Sequence, residues 1–359
     1  MHKISCAFLA AATACHSAWA QTDNVQIYGR LNTGMESLRS ADAGTVSRLS
    51  NYRSVLGFKG SEDLGGGLKA IFQIEGTLSL DTGAGSLAAR DTRVGLEGGA
   101  GTLFAGNWNL PYNTATASLD PYYPTTAGYM SIMGNGAGAT VNNTSDTSSF
   151  DRRQQNSVHY WSPVWRGLQL RVAQSASEER PASGAKPYLT SSAVMWEGGD
   201  WYVTGAWERH HEYQGPNTAD TGAKLGAAYR FGNTRVALIG ERLKYETAGG
   251  TLARRSAYAS ITHQVGRHAV KVGVARAGDG KGSAPVGTQV GMVRQGAETG
   301  ATHYTAGYDY TLSKRTSVFV FYTHLNNQRN GAVDFAINAL GASPGATLKG
   351  VALGMRHNF

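Results

Sequence analysis

Apolar and polar residues alternate with a period of two through segment after segment of this chain, and the spacing between those segments alternates as well. Leu68, Ala70, Phe72 and Ile74 interleave with Lys69, Gln73 and Glu75; Leu168, Leu170 and Val172 with Gln169 and Arg171; Val270, Val272 and Val274 with Lys271. Each is a strand with one apolar face. Short, turn-rich connections fall at 61–67, 97–101, 163–167, 197–200, 231–233, 264–267 and 312–314. Longer ones lie between them at 38–52, 80–88, 109–152, 178–186, 211–219, 247–253, 278–298 and 326–347. Sixteen strands separated by seven short and eight long connections form an antiparallel meander with every tight turn at one end. A soluble antiparallel sheet with one wet face gives the same alternation, but the sorted loop lengths select a closed transmembrane β-barrel with short periplasmic turns and external loops.

The last predicted strand runs to Phe359. Val351, Leu353, Met355 and Phe359 share one face, with Ala352, Gly354, Arg356 and Asn358 on the other. Phe359, Met355 and Leu353 are therefore candidates for the signal that the barrel-assembly machinery reads. On that view removal of Phe359 blocks assembly, while shortening 326–347 is tolerated. Trp161, Trp165, Trp196, Trp201, Tyr229, Phe231, Tyr310 and Phe359 cluster at strand ends near short turns, as an interfacial aromatic girdle requires.

At the other end, Met1–Lys3 is positive, Ile4–Ala14 apolar, and Ala18-Trp19-Ala20 a small-x-small cleavage site. Residues 1–20 are expected to be a removed signal peptide and 21–359 a single barrel domain beginning at Gln21. A lipidated Cys15 is the weaker reading, because Ala12 stands where leucine is usual. Both cysteines, Cys6 and Cys15, fall in the leader, so the mature chain carries no thiol for disulfide, metal or nucleophilic chemistry. With mean hydropathy −0.30 and no mature apolar run near ~18 residues, the chain does not read as a helical membrane protein. The formal charge of +8 is scattered rather than clustered, which argues against nucleic acid as a partner.

ValGlnIleTyrGly (25–29), the stretch from Ser54 to Glu75, ArgValGlyLeuGluGlyGlyAlaGlyThrLeuPheAlaGlyAsn (93–107), AsnSerValHisTyrTrpSerPro (156–163) and the final ArgHisAsnPhe occur in this order. With these motifs the chain resembles the trimeric general porins of Gram-negative outer membranes, in particular their neisserial or betaproteobacterial branch, over essentially the whole mature length. The resemblance implies a water-filled sixteen-stranded barrel, three per assembly in outer-membrane lipid, passing small hydrophilic solutes and ions. It also implies a third long loop, here 109–152, folded into the lumen opposite basic wall residues.

Arg153, just before AsnSerVal, takes the place where relatives carry a pore arginine. Arg90 stands at another commonly basic position, although alternation leaves open whether it or Arg93 points inward. Arg53 lies two residues before Val55, where relatives often have arginine, and Arg30 adds a charge beside Asn32, which replaces a frequent aspartate. Asn107 replaces a frequent arginine. Arg153, Arg90, Arg53 and Arg30 are the candidate constriction cations, with Lys69 a weaker one. Asp120, Asp146 and Asp151 are the only acids of loop 109–152, and Asp120 is the candidate opposing charge. The excess of cations predicts modest anion preference.

A substrate-specific channel is the alternative, and a barrel enzyme a more remote one, since no spacing singles out a nucleophile and base. An aromatic track along the lumen would mark the former. No cofactor is expected. His210-His211-Glu212 is not read as a metal site, because adjacent side chains on an extended chain point apart. Gly65-Gly66-Gly67 precedes a strand rather than a helix and reads as a turn, not a phosphate loop.

Overall fold

The computed structural model describes residues 25–136 and 140–359. The expected leader and its junction at Gln21 lie outside the described residues. Sixteen strands make the wall. The first eight are β1 (Gln26–Ser40), β2 (Gly44–Asn51 continued by Ser54–Gly65), β3 (Leu68–Leu78), β4 (Thr92–Gly98), β5 (Gly101–Asn109), β6 (Arg153–Trp161), β7 (Leu168–Ser175) and β8 (Tyr188–Gly198). The rest are β9 (Trp201–His211), β10 (Ala219–Phe231), β11 (Thr234–Thr247), β12 (Gly250–Val265), β13 (His268–Ala277), β14 (Ala301–Thr311), β15 (Thr316–Asn327) and β16 (Thr347–Asn358). Each pairs antiparallel with its neighbour in sequence.

β16 returns to β1, in register from Arg30 opposite Asn358 to Arg39 opposite Lys349, and so closes the sheet. Beyond the last rung, Phe359 N–H donates to Gly29 O at 3.0 Å and Gly29 N–H to Phe359 O at 2.9 Å. The Phe359 ring lies across Gly29, where a Cβ would stand 2.4 Å from its Cζ. Glycine is needed there for the close approach of the ring. Closure leaves no sheet edge, which hydrocarbon would not tolerate.

Strand alternation sorts the side chains as the sequence pattern predicts. Val270, Val272, Val351, Leu353, Met355, Leu225 and Leu238 are exposed on the outside, while Lys271, Lys224 and Glu241, between or opposite them, are buried inside. All seven tight connections fall at one end. Two of the eight expected long loops, however, are hairpins. β1 continues to Ser40 and pairs with 44–51 across a turn at 41–43, not a loop at 38–52. β11 and β12 continue to Thr247 and Gly250, leaving only 248–249 of the expected 247–253 loop. Above the apolar band both faces of these strands are largely polar, so the outward alternation that marks a strand in sequence is lost there.

One girdle residue is also corrected. Trp165, Trp196, Trp201, Tyr229, Phe231 and Phe359 are exposed outside, but Trp161 points into the barrel. There it meets Phe104 edge-on with ring centroids 5.1 Å apart, and the guanidinium of Arg171 lies 4.2 Å from its ring centre. Trp161 shares the inward parity of the buried His159, so strand register overrides the preference of tryptophan for the membrane interface.

The interior of the external half is a packed core. Among the described residues, loop 110–152 lies inside the barrel, with a short helix α1 (Pro111–Ala117) and two 3₁₀ turns. Its Tyr129, Met130, Ile132 and Met133 cluster with Ile239 and Tyr258 of the wall and with Val333, Phe335 and Ile337 of the loop between β15 and β16. That loop is therefore not the dispensable segment its position suggests: Val333 and Phe335 are fully buried, and Ala336 N–H donates to Ser131 Oγ at 3.2 Å. Truncating a buried phenylalanine to alanine costs ~3–5 kcal/mol. Phe335→Ala is expected to accelerate amide exchange in residues 129–135 and leave the strands protected; unchanged exchange in that stretch contradicts the packing.

Candidate functional site in the barrel lumen

Loop 110–152 does not cross the lumen freely; it is tied along the wall of β8–β15 and reaches β1. Tyr112 OH donates to Glu241 Oε1 at 2.9 Å, Tyr202 OH to Ala115 O at 2.6 Å, and Ser260 Oγ to Leu119 O at 3.0 Å. Tyr122 OH then reaches Lys271 O at 2.6 Å, Arg254 Nη2 donates to Ile132 O at 2.6 Å, and Thr126 contacts Glu36 on β1. Glu36 in turn accepts from Tyr52 OH at 2.7 Å and Arg48 Nε at 3.2 Å. The wall donates to loop carbonyls and the loop donates to wall carboxylates, and these contacts hold a long polar segment in the lumen.

Asp120 is the pivot of this fastening. Oδ1 accepts from Tyr122 N–H at 2.9 Å and Tyr258 OH at 2.9 Å, and Oδ2 from Tyr129 N–H at 2.8 Å. The loop lies outside the spanning strands, and burial there pushes the Asp120 carboxyl up to about 6, against those stabilising hydrogen bonds. The other two loop acids are engaged as well. Asp146 accepts from Ser148 Oγ at 3.0 Å, and Asp151 pairs with Lys224, fully buried on β10. Lys224 also faces Glu241 at 3.6 Å. All three loop aspartates thus serve the loop's own structure.

The opposite wall gathers the four candidate arginines. Arg153 Nε meets Asp91 Oδ1 at 2.7 Å, and Arg90 Nε meets Glu75 Oε1 at 2.8 Å. Arg30 Nη2 donates to Arg53 O at 2.9 Å, and Arg53 Nη1 lies 3.5 Å from Tyr123 OH at the tip of the loop. Arg53 feels the like charges of Arg90 and Arg153, and Arg30 those of Arg90 and Arg356. Arg53 breaks β2 with φ +56°, a left-handed residue between the strand's two segments, and this kink turns its side chain toward the loop. The structure brings together four cations from β1, β2, the β3–β4 connection and β6, and sets them against two carboxylates, Glu75 and Asp91.

Sequence reading missed those two acids. Asp91 also accepts from Asn109 N–H at 3.2 Å, and Glu75 from Tyr28 OH at 3.1 Å. Their only sequence signal is inward parity, which marks position but not partner. Arg90 and Arg93 divide the question alternation left open: Arg90 joins the arginine cluster, and Arg93 stacks 4.4 Å from Trp108 and 4.6 Å from Phe104. Asn107 Nδ2 donates to Arg90 O at 2.9 Å and Asn32 Nδ2 to Tyr52 O at 3.2 Å, so both departures from the relatives' pattern brace the backbone of this wall. Lys69 is exposed near a short turn, opposite Asp63. His210 is buried against Glu208 Oε1 at 2.8 Å, whereas His211 stacks on Tyr188, so the two histidines do point apart.

Comparisons with known proteins agree with this architecture. The sequence profile of the Gram-negative porin family matches residues 6–330. The major outer membrane protein P.IB of Neisseria gonorrhoeae is 31% identical over 182 residues, 47% of this chain and 47% of that protein. The chain thus spans about half the length of the neisserial relatives it matches. Outer membrane porin protein 32 of Delftia acidovorans is 26% identical over 99% of this chain and 100% of its own. Among solved structures, the anion-selective porin from Comamonas acidovorans superposes with a TM-score of 0.79 at 23% identity, over 94% of this chain and 100% of that one.

Removing the Asp120 carboxylate leaves two N–H groups and a hydroxyl without their acceptor, roughly 2–4 kcal/mol of loop docking. Asp120→Ala is expected to raise open-channel current noise and amide exchange around Tyr122 and Tyr129. Because the docked carboxyl takes up its proton near 6, above the ordinary aspartate value, docking strengthens as pH falls from neutrality toward about 4. Asp120→Asn is expected to flatten that pH dependence in the same exchange measurement; equal slopes in the two proteins contradict the assignment.

Proposed function

The chain belongs to the Gram-negative porin family and is a multi-pass β-barrel of the outer membrane, and from that premise we propose that it is a general diffusion porin for small hydrophilic solutes with a modest preference for anions. Family membership indicates a channel rather than an enzyme. The observation that carries the selectivity is the charge imbalance across the lumen: Arg30, Arg53, Arg90 and Arg153 on one wall against Glu75 and Asp91, facing a loop whose aspartates are already engaged. In a narrow channel with low-dielectric walls the field of such a cluster is focused and weakly screened. One unit charge ~6 Å from a passing ion contributes roughly 0.7–3 kcal/mol at an effective dielectric of 80 to 20. That biases anions over cations several-fold without excluding cations.

The acid partners are placement devices in this reading. Asp91 fixes Arg153, and Glu75 fixes Arg90, at the cost of half the cluster's charge. Inward aromatic residues exist, but Phe104, Trp108, Trp161 and His159 pack against one another and Arg93 as a block beside the wall rather than as a track along it. The general channel is therefore favoured over a substrate-specific one. The protein is proposed to act as a homotrimer, in keeping with solved porins of this fold that include a trimer form.

A salt gradient across a planar bilayer is expected to give a reversal potential of anion-selective sign, moved toward cations in Arg153→Glu with Arg90→Glu. A cation-selective parent, or a double variant with unchanged potential, contradicts the role of these arginines. Residues 1–20 are proposed as a cleaved leader. Phe359, with Met355 and Leu353, is proposed as the assembly signal, because its ring and backbone complete the β1–β16 seam over Gly29. Deletion of Phe359 is expected to yield exported protein without heat-modifiable trimers, whereas normal trimers refute the signal.

A further inference from the structure

On the periplasmic side of the arginine wall, two more guanidinium groups are gathered against a single indole. Arg171 on β7 stands directly opposite Trp161 on β6 in register, and its guanidinium lies 4.2 Å from the centre of that ring. Arg93 on β4 reaches the same indole at 5.2 Å and also stacks on Trp108 at 4.4 Å and on Phe104 at 4.6 Å. Two like charges are thus held beside one ring, close enough for Arg93 to feel the repulsion of Arg171.

These two cations are fastened differently from those of the arginine wall. Arg153 and Arg90 each give Nε to a carboxylate. Arg171 gives its Nε to the neutral Gln169 Oε1 at 3.0 Å, and Gln169 Nε2 is held in turn by Ser162 O at 3.2 Å. Arg93 is held by ring faces, with Nε and Nη1 buried and without a hydrogen-bond acceptor. Among the described residues neither guanidinium has a carboxylate in ion-pair contact. Glu97 and Asp91 act on Arg93 only at longer range, and Asp91 is already taken by Arg153. Aromatic faces and a neutral amide fix a guanidinium without cancelling its charge.

Packing alone does not explain the arrangement. An apolar side chain at position 93 would fill the aromatic block without leaving two buried donors unsatisfied, which is costly. What arginine adds is an edge. Arg93, Trp161 and Arg171 are all half-buried and inward-facing, so Nη2 of Arg93 and both Nη groups of Arg171 open to the lumen. Guanidinium forks match the oxygens of an oxyanion, and two uncancelled cations select for two negative charges. Position separates this place from the constriction. Trp161 lies eight residues along β6 from Arg153, which at ~3.4 Å per residue and a tilt of ~40° is about 21 Å nearer the periplasm.

We propose that Arg93 and Arg171, braced by Trp161 and Gln169, form a second binding site in the periplasmic half of the lumen, which takes a doubly charged tetrahedral oxyanion. The inference rests on the reading of the lumen as an anion path and adds a place where divalent anions dwell while chloride passes.

Sulfate and methanesulfonate test this, since both carry a tetrahedral sulfur centre and they differ by one charge. In single-channel recording of the full-length protein in chloride, sulfate is expected to half-block the current at about tenfold lower concentration than methanesulfonate. Arg93→Gln with Arg171→Gln is expected to bring the two half-blocking concentrations together. Arg171→Gln alone, which leaves Arg93 stacked in the aromatic block, is expected to raise the sulfate value about threefold or more. Equal half-blocking concentrations in the parent, or a sulfate advantage that survives in both variants, overturns the site and leaves the porin reading standing. Calorimetric titration of the folded protein in uncharged detergent with the same two salts reads the site without a current. Sulfate binding that is lost in Arg171→Gln supports it even where the bilayer shows no anion path and the proposed function has failed. Absence of sulfate binding in the parent, or equal binding of the two anions, overturns it.

Discussion

The seam between β1 and β16 is the contact on which everything else in this molecule depends. A sheet with open edges leaves backbone N–H and C=O groups in hydrocarbon, each costing several kcal/mol, and only closure removes them. The register from Arg30 opposite Asn358 to Arg39 opposite Lys349 supplies that closure. An antiparallel sheet closed in this way has an even number of strands, and this one has its tight turns at one end and its loops at the other. The longest loop can then enter the lumen from the external side only. A constriction follows from topology before any side chain is considered.

Inside that frame, the loop and the wall divide the charges between them. Loop 110–152 uses Asp120 to gather two of its own N–H groups and Tyr258, and Asp151 to meet the buried Lys224, so its acids bind it in place instead of facing the pore. The wall does the reverse. It spends two carboxylates, Glu75 and Asp91, on orienting arginines, and groups four cations there. A buried charge is strongly destabilising when its partner is removed, which makes both arrangements rigid. In the function proposed above, that rigid, uneven charge is what a passing ion meets.

Much of this was legible in the sequence because a strand's period is two and the barrel offers a lipid face nearly everywhere. All sixteen strands, the inward position of Lys271 and the outward Leu353 and Met355 follow from that rule. It fails where the rule's cause is missing: residues 44–51 and 250–253 rise above the membrane, face no lipid outward and read as loops. Trp161 shows a different failure, since residue type suggested the interface while register turned it inward. The four arginines could be named from motifs, but Asp91 with Arg153 and Glu75 with Arg90 are contacts across strands, which no local pattern records. The burial of Phe335 against Met130 joins segments some two hundred residues apart, and nothing in either announces the other.

An open aqueous path beside loop 110–152, under an arginine-rich wall, is read out by single-channel recording of the purified protein in a planar bilayer. Large ohmic current steps that appear and close in groups of three are expected from such a path. Silence from correctly folded, heat-modifiable protein, or small rectifying steps that saturate with salt concentration, would contradict it.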